Sequence, residues 1–261
     1  MTMSKILSDK TYDVVVVGGG IVGLASAYAA VKKGLSVAVV ERQSQNKDAS
    51  VRNFGFVTVS GQRRGEHWQR AMHSRNVWTE IAPKAGIQVE HNGLHMLMQR
   101  PEAVNVAHAF LKTEMGEGCR LLTQSEINEA VPYLNKGEGV LYSPHELRVE
   151  SNTAIAKLAH WLQETQSVDF YNHTTVTSVE LPKVHTSRGV LNAEHCVVCP
   201  GADFTGLYPD VFAKTKAKMC TLNMIRVMPK KAFRLNAAVM SDLSFARYDG
   251  FAQLPEATIL K

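Results

Sequence analysis

The stretch YDVVVVGGGIVGLASAYAAVKKGLSVAVVE, residues 12–41, predicts a strand, a glycine turn, a helix and a second strand. Its first part, Tyr12–Val17, is a valine-rich run typical of a parallel strand that is buried on both faces. The pattern G-x-G-x-x-G follows at once, and the apolar residues after it recur at the spacing of one helix face. A second apolar run, Leu35–Val40, ends at Glu41. The stretch therefore predicts a βαβ unit with two parallel strands.

Each glycine of the turn has a physical reason. Gly18 permits the tight turn out of the strand, Gly20 lets a pyrophosphate approach the backbone, and Gly23 allows the helix to pack close to the strand. The helix N-terminus then presents free N–H groups and a partial positive charge to phosphates. Glu41 is placed to accept hydrogen bonds from an adenosine ribose. Together these features favour a bound dinucleotide over the alternative, a close-packed βαβ unit without a ligand.

Length and composition are those of a globular protein with one large or two modest domains. The chain has 261 residues, of which 45% are hydrophobic, and a net charge of +5. The positive excess is spread along the chain, so it does not indicate nucleic-acid binding, although it suits an anionic ligand. We expect no membrane span and, from the short polar start, no secretory signal. Four cysteines indicate reduced thiols in a cytoplasmic protein.

The chain beyond Glu41 predicts a polar loop, a region of mixed helices and strands, and a return to the first domain. Helices are predicted at 66–82, 101–115, 125–131 and 151–165, with Ser151 as the N-cap of the last, and one begins at Pro255. Strands are predicted at Ile87–Glu90, Leu94–Met98, Val168–Tyr171, Val176–Glu180, Val184–Ser187, His195–Cys199, Cys220–Met228 and Ser244–Tyr248. A hairpin turn is expected at Asn92-Gly93, between the first two strands.

These segments together resemble the FAD-dependent oxidoreductases of the D-amino-acid oxidase, glycine oxidase and sarcosine oxidase family. The resemblance rests on VVVVGGGIVGLASAYAAVKKGLSVAVVER, the Ala49-Ser50 loop, TTVTSVE and VVCPGAD. Within the family, SVRNFG (50–55) and SFARYDGF (244–251) are similar to a subgroup associated with aminoalkylphosphonate breakdown, such as oxidation of 2-aminoethylphosphonate.

The fold that the resemblance implies is an α/β flavoprotein with two domains. A Rossmann-like FAD-binding domain is expected at 1–85 and 150–212. An inserted, mixed α+β substrate domain is expected at 86–149 and 213–261. Family members continue beyond the position of Lys261 with a segment that completes the substrate sheet and lies beside the flavin. We therefore expect a C-terminally truncated fragment that holds the adenine half of FAD better than the flavin half.

The resemblance also implies which residues contact the cofactor. They are Gly18, Gly20, Ile21, Val22 and Gly23 for the pyrophosphate, Glu41 and Arg42 for the adenosine ribose, Ala49, Ser50, Asn53 and Gly55 near the flavin, Val176 for the adenine, and Gly201 and Ala202 from a second strand. From composition alone, an ordinary surface loop is the favoured interpretation of the segment around Ser50.

The implied chemistry is the transfer of a hydride from the carbon bearing a neutral amine to the flavin, followed by hydrolysis of the imine. An anionic small-molecule substrate needs a cationic anchor, for which arginine is best suited. The candidate anchors are Arg52, Arg148, His145 and Arg247. The alternative for each is a solvated surface charge or an interdomain ion pair.

Two other functions stay open from the sequence. One is a nicotinamide-dependent dehydrogenase built on the same βαβ unit. The other is a remnant that binds only the ADP part of the cofactor. No metal site is predicted, because two cysteines three residues apart in HCVVC (195–199) point to opposite faces of a strand. The sequence does not predict the oligomeric state.

Overall fold

The computed structural model describes residues 10–134, 136–231 and 233–260, and the chain forms two compact units. The first unit comprises the residues up to Asn53, Lys84–Ile87 and Ser151–Arg226. The second comprises Phe54–Pro83, Gln88–Glu150 and the residues from Val227 on. The domain ranges expected from the sequence differ chiefly at two places, because residues 54–83 belong to the second unit and 213–226 to the first.

The described residues form a mixture of helices and strands along the chain. Helices α1–α8 are Ile21–Val31, Glu66–Lys84, Pro101–Leu111, Gln124–Ala130, Ser151–Thr165, Pro209–Thr215, Leu243–Arg247 and Asp249–Ala252, and short 3₁₀ helices are Glu114–Gly116, Pro132–Leu134 and Pro255–Leu260. Strands β1–β11 are Thr11–Val17, Val37–Val40, Phe56–Val57, Val89–Met98, Arg120–Leu121, Gly139–Val149, Asp169–Tyr171, Val176–Glu180, Lys183–Thr186, Gly189–Val198 and Ala238–Ser241. No helix in this part of the chain is both long and apolar enough to cross a bilayer.

The first unit contains a six-stranded sheet with the order β7-β2-β1-β10-β9-β8. Strands β7, β2, β1 and β10 are parallel, and β9 and β8 are antiparallel additions. In β1, Val15 and Val16 have no exposed surface, as the valine-rich run predicts. Helix α1 contacts β1 and buries Leu24 and Ala27, and its Tyr28 packs against Trp161 of α5. This is the predicted Rossmann-like arrangement.

The second unit contains a mixed sheet with the order β11-β4-β6-β3, and β5 also pairs with β6. The long antiparallel pair β4 and β6 forms its centre, and β11 lies parallel to β4. Helices α3, α7 and α8 contribute Phe110, Phe245 and Phe251 to one core. The Phe251 ring lies 4.5 Å from that of Phe110 and 4.8 Å from that of Phe245, between ring centroids. The α/β fold class with mixed sheets is thus confirmed.

The predicted hairpin at Asn92-Gly93 is wrong. The chain instead forms one strand, β4, whose register against β6 shifts between Asn92 and Leu94. Gly93 has φ +87°, and an added Cβ would lie 2.7 Å from the Ser143 carbonyl oxygen. An Asn-Gly pair suits this irregularity as well as a hairpin turn, because Gly93 adopts a positive φ here and type I′ turns also need one.

Three further local predictions are wrong. Residues 244–248 are not a strand but lie in α7 and the residue after it, and the Tyr248 N–H donates to the Ser244 carbonyl at 3.0 Å. Cys220–Met228 forms no strand, because no described segment pairs with it. Ser151 lies inside α5, and its hydroxyl donates to the Val51 and Asn53 carbonyls instead of capping the helix.

Candidate cofactor site

A cleft in the first unit lies where β1, β2 and β10 end at the same edge of the parallel sheet. Such an edge is where ligands bind in open α/β sheets. The first βαβ unit contributes Gly18, Gly20, Glu41 and Arg42 to its wall. The loop after β2 contributes Ala49 and Ser50, and later parts of the chain contribute Val176 and Gly201. Eight of the residues named from the sequence therefore share one cleft.

The glycine turn is closed too tightly to hold side chains. Gly18 has φ +103°, and a Cβ on it would lie 2.3 Å from the Cys199 carbonyl oxygen. A Cβ on Gly23 would lie 1.9 Å from the Gly18 carbonyl oxygen. Gly20 is the N-cap of α1, and the first helical residue is Ile21. Because these glycines have no side chains, an anion can approach the backbone N–H groups at the N-terminus of α1.

Ser50 ties the loop after β2 to the start of α1. Its Oγ accepts a hydrogen bond from the Ile21 N–H at 3.0 Å. Asn53 supports the same loop, because its Nδ2 donates to the carbonyls of Ala49 at 2.8 Å and Ser50 at 2.9 Å. The Ser50 hydroxyl proton is then directed away from the amide, so it is available to a phosphate oxygen.

Glu41 is buried, with only 6% of its surface exposed. Its Oε2 accepts from the Gly19 N–H at 2.7 Å, and its Oε1 accepts from the Gln43 N–H at 2.9 Å. A carboxylate has about four acceptor positions, so both oxygens keep capacity for ribose hydroxyls. Glu41 therefore shapes the turn and still lines the cleft.

Arg42 joins two walls of the cleft. Its Nη1 lies 2.7 Å from Oδ2 of Asp203, in the loop after β10, and its Nη2 lies 3.6 Å from Oδ2 of Asp48. The backbone N–H groups of Thr205 and Gly206 hold the pKa of Asp203 below its usual value, and Arg42 adds to the effect. The Asp203 carboxyl is therefore ionised at neutral pH.

Not every residue named from the sequence lines the cleft. Residues 21–23, Asn53, Gly55 and Ala202 are absent from its wall. Val22 is 65% exposed, Gly55 belongs to the second unit, and Gly23 serves packing. The sequence reasoning missed other parts of the wall, which include Asn46, Asp48, Thr174, Thr175, Cys199 and Asp203. Asp203 was the easiest to find, since it follows the Pro-Gly-Ala turn after β10.

The four candidate anchors do not share one unit. Arg52 is exposed and belongs to the first unit, whereas the other three belong to the second. Arg148 donates from Nε to the Phe54 carbonyl at 3.2 Å and pairs with a carboxylate oxygen of Glu150 at 3.2 Å. The Nε2 of His145 lies 2.7 Å from the Glu117 carbonyl oxygen. Arg247 is exposed at the end of α7.

The cysteines offer a test of local environment. Burial raises the pKa of the Cys119 thiol to about 11, and burial, followed by the neighbouring Cys199, raises that of Cys196 to about 11. Cys220 is exposed. Because the thiolate is the reactive form, we expect iodoacetamide at neutral pH to label Cys119 and Cys196 at least about tenfold more slowly than Cys220. Peptide mass spectrometry over time measures this, and equal rates would contradict it.

Within residues 10–134, 136–231 and 233–260, no three His, Cys, Asp or Glu side chains are grouped to hold a metal ion.

The family model described as DAO, FAD dependent oxidoreductase, matches residues 13–251. The chain belongs to this family. FAD is therefore its cofactor type, and the nicotinamide alternative loses its support. The glycine cradle and the open α1 N-terminus described above fit the diphosphate of that cofactor.

Two curated relatives illustrate the range within this family. Human mitochondrial L-2-hydroxyglutarate dehydrogenase is 27% identical over 206 residues, covering 75% of this chain and 43% of that protein. Glycine oxidase of Bacillus licheniformis is 24% identical over 217 residues, covering 77% of this chain and 57% of that protein. The chain thus spans about half the length of the curated relatives it matches.

Solved structures share the fold. Glycine oxidase from Bacillus cereus ATCC 14579 matches with a TM-score of 0.64 and 25% identity, over 76% of this chain and 58% of that one. L-alpha-glycerophosphate oxidase from Mycoplasma pneumoniae, solved with FAD bound, matches with a TM-score of 0.68 and 17% identity, over 89% of this chain and 65% of that one. The second likeness shows the fold alone.

Proposed function

We propose that this chain binds FAD in the cleft of the first unit and serves the flavin-dependent oxidation of an amine C–N bond. The observation that carries the proposal is the convergence of the glycine turn, Glu41 and the Ser50 loop on one cleft, in a chain of this family. Glycine oxidase and monomeric sarcosine oxidase, two of its relatives, support an amine as the oxidised group.

Within this proposal the chain's own residues hold the two ends of the ADP moiety. The glycine turn and the amides that follow Ile21 at the start of α1 bind the diphosphate, since the Ile21 N–H itself donates to Ser50. Glu41 accepts from the ribose, and Val176, at the start of β8, flanks the adenine. We still predict that the residues nearer the flavin are Ala49, Ser50, Asn53 and Gly55. Once bound, FAD supplies the hydride acceptor.

The finer proposal is that the amine carries a phosphonate. Both subgroup segments, 50–55 and 244–251, contain an exposed arginine, which is Arg52 in the first and Arg247 in the second. Within the described residues the Arg52 guanidinium makes no hydrogen bond or ion pair, whereas Arg148 is engaged by Phe54 and Glu150. Arg52 is therefore the better placed to bind a phosphonate through its planar fork of donors.

A second candidate is oxidation of a 2-hydroxy acid. It is favoured by the 27% identity to L-2-hydroxyglutarate dehydrogenase. This reaction also removes a hydride from a carbon next to an anionic group, so the same cofactor cleft serves it. The two candidates differ in the heteroatom on the reacting carbon, and a substrate panel separates them.

The test begins with the visible spectrum of the purified chain and identification of the flavin released on denaturation. The chain is then mixed without oxygen with 2-aminoethylphosphonate, glycine, sarcosine and L-2-hydroxyglutarate. We expect bound FAD that is bleached by 2-aminoethylphosphonate, and an Arg52→Ala chain that needs at least about tenfold more substrate for the same rate of bleaching. Lys47→Ala, which removes an exposed cation nearby, is the matched control.

The other outcomes are equally informative. Bleaching by L-2-hydroxyglutarate alone would favour the hydroxy-acid candidate. Bleaching by glycine or sarcosine alone would keep amine oxidation and reject the phosphonate. Binding of ADP without retention of FAD would mean that this chain holds only the adenosine half of the cofactor, and the proposed activity would fail for it.

A further inference from the structure

We propose that Asn46 binds the ribose-diphosphate of the cofactor through its carboxamide, an inference that rests on the proposed function. Asn46 lies in the loop after β2 and lines the cleft. Neither its position between Glu41 and Ser50 nor any of the sequence patterns above marks it as a binding residue.

The Asn46 carboxamide lies close to Gly20 and Ser50. Its Nδ2 lies 3.5 Å from the position that a Cβ on Gly20 would occupy, and the Ser50 Oγ lies 3.0 Å from that position. Gly20 is the residue at which α1 begins. The carboxamide thus stands beside Ser50 at the helix N-terminus, where a diphosphate is bound by the backbone.

The second observation is that this carboxamide lacks a structural partner. Its Oδ1 is buried and accepts no hydrogen bond within the described residues. A buried polar atom is costly to leave unpaired, so it requires a partner that the chain itself does not provide. The neighbouring residues of the loop differ in this respect, because Asp48 accepts from Gln43 and pairs with Arg42.

The chemistry of the carboxamide matches the ligand at this place. An asparagine side chain has two donor hydrogens on nitrogen and an acceptor oxygen. The nitrogen lies beside Gly20 and would donate to a diphosphate oxygen, and the unpartnered oxygen would be an acceptor for a ribose hydroxyl. Asn46 would therefore add a side-chain contact to the backbone contacts of the glycine turn.

Binding measurements on the full chain test this inference without an activity assay. We expect Asn46→Ala to weaken the binding of FAD and of ADP by about tenfold each, the loss of one hydrogen bond to a charged group. Asn46→Asp keeps the shape but places a carboxylate beside the phosphates, so a larger loss is expected. Gln45→Ala, at an exposed position in the same loop, is the matched control and should bind as the unchanged chain does.

Calorimetric titrations with FAD, ADP and adenosine supply the readout, and thermal unfolding without ligand checks that each variant is folded. Adenosine binding should weaken less than ADP binding in Asn46→Ala, because adenosine carries the ribose but not the phosphates. Unchanged FAD and ADP affinities in both Asn46 variants would overturn the inference while leaving the proposed cofactor site intact. An unchanged chain that binds neither FAD nor ADP would overturn both.

Discussion

Replacing Gly23 by alanine is expected to weaken FAD binding at least about 100-fold and to lower the free energy of unfolding by about 1–3 kcal/mol. A Cβ at this position would lie 1.9 Å from the Gly18 carbonyl oxygen and 3.2 Å from Cγ1 of Val16. The first contact is with backbone, which cannot rotate away as a side chain can. Helix α1 must therefore move away from β1, and the move displaces the glycine turn and the helix N-terminus together.

The matched control for Gly23→Ala is Ala25→Ser, which adds one heavy atom to an exposed position of the same helix. Fluorescence titration with FAD and urea unfolding measure the two effects. The control should retain both affinity and stability. A Gly23→Ala chain with the affinity of the unchanged chain would show that close approach of α1 to β1 is not needed for the cofactor.

Replacing Glu146 by leucine is expected to destabilise the second unit by about 2–4 kcal/mol, whereas glutamine should change its stability by less than about 1 kcal/mol. Glu146 is only 2% exposed, and its Oε1 accepts from the N–H groups of Val59 at 3.2 Å and Ser60 at 2.6 Å. Leucine would leave both amides buried without an acceptor. Glutamine keeps the acceptor, and it replaces Oε2, which has no partner within the described residues.

Urea unfolding of the two Glu146 variants, followed by circular dichroism, measures the difference. The comparison isolates the acceptor role, because glutamine removes the charge but keeps the size and the carbonyl oxygen. Equal destabilisation by leucine and glutamine would show instead that the negative charge itself is what the surroundings stabilise. Equal stability of all three chains would show that the two amides find other partners.

The βαβ unit could be predicted from sequence because its signals are local. The valine run, the glycine turn and the helix spacing all lie within residues 12–41, and each has one physical interpretation. Only the end of β10 was predictable for the same reason, because the predicted strand at His195–Cys199 is an apolar run that ends at a proline-glycine turn. Local periodicity alone does not make a strand, however, because a strand also needs a neighbour to pair with. Cys220–Met228 has strand-like composition and lacks that neighbour within the described residues.

The residues of the cofactor site likewise fall into those that the sequence predicts and those that it does not. Gly18, Gly20 and Glu41 were predictable because the turn that they form fixes their positions. Asn46 and Asp203 were not, since each lies in a loop whose course depends on contacts made elsewhere, such as the pairing of Asp203 with Arg42. Sequence reasoning therefore finds the part of a binding site that regular structure positions, and it misses the part that loops bring to it.

The position of β1 at the middle of its sheet bears on how this protein is made. One neighbour, β2, follows it closely along the chain, but the other is β10, so that Val15 lies opposite Cys196. Pairings between distant segments form late, because a long loop must close first. During synthesis, one edge of β1 therefore keeps unpaired N–H and C=O groups until β10 has left the ribosome. In the second sheet, one edge of β4 likewise stays unpaired until β11 has been synthesised. Neither unit is therefore formed from a continuous piece of the polypeptide.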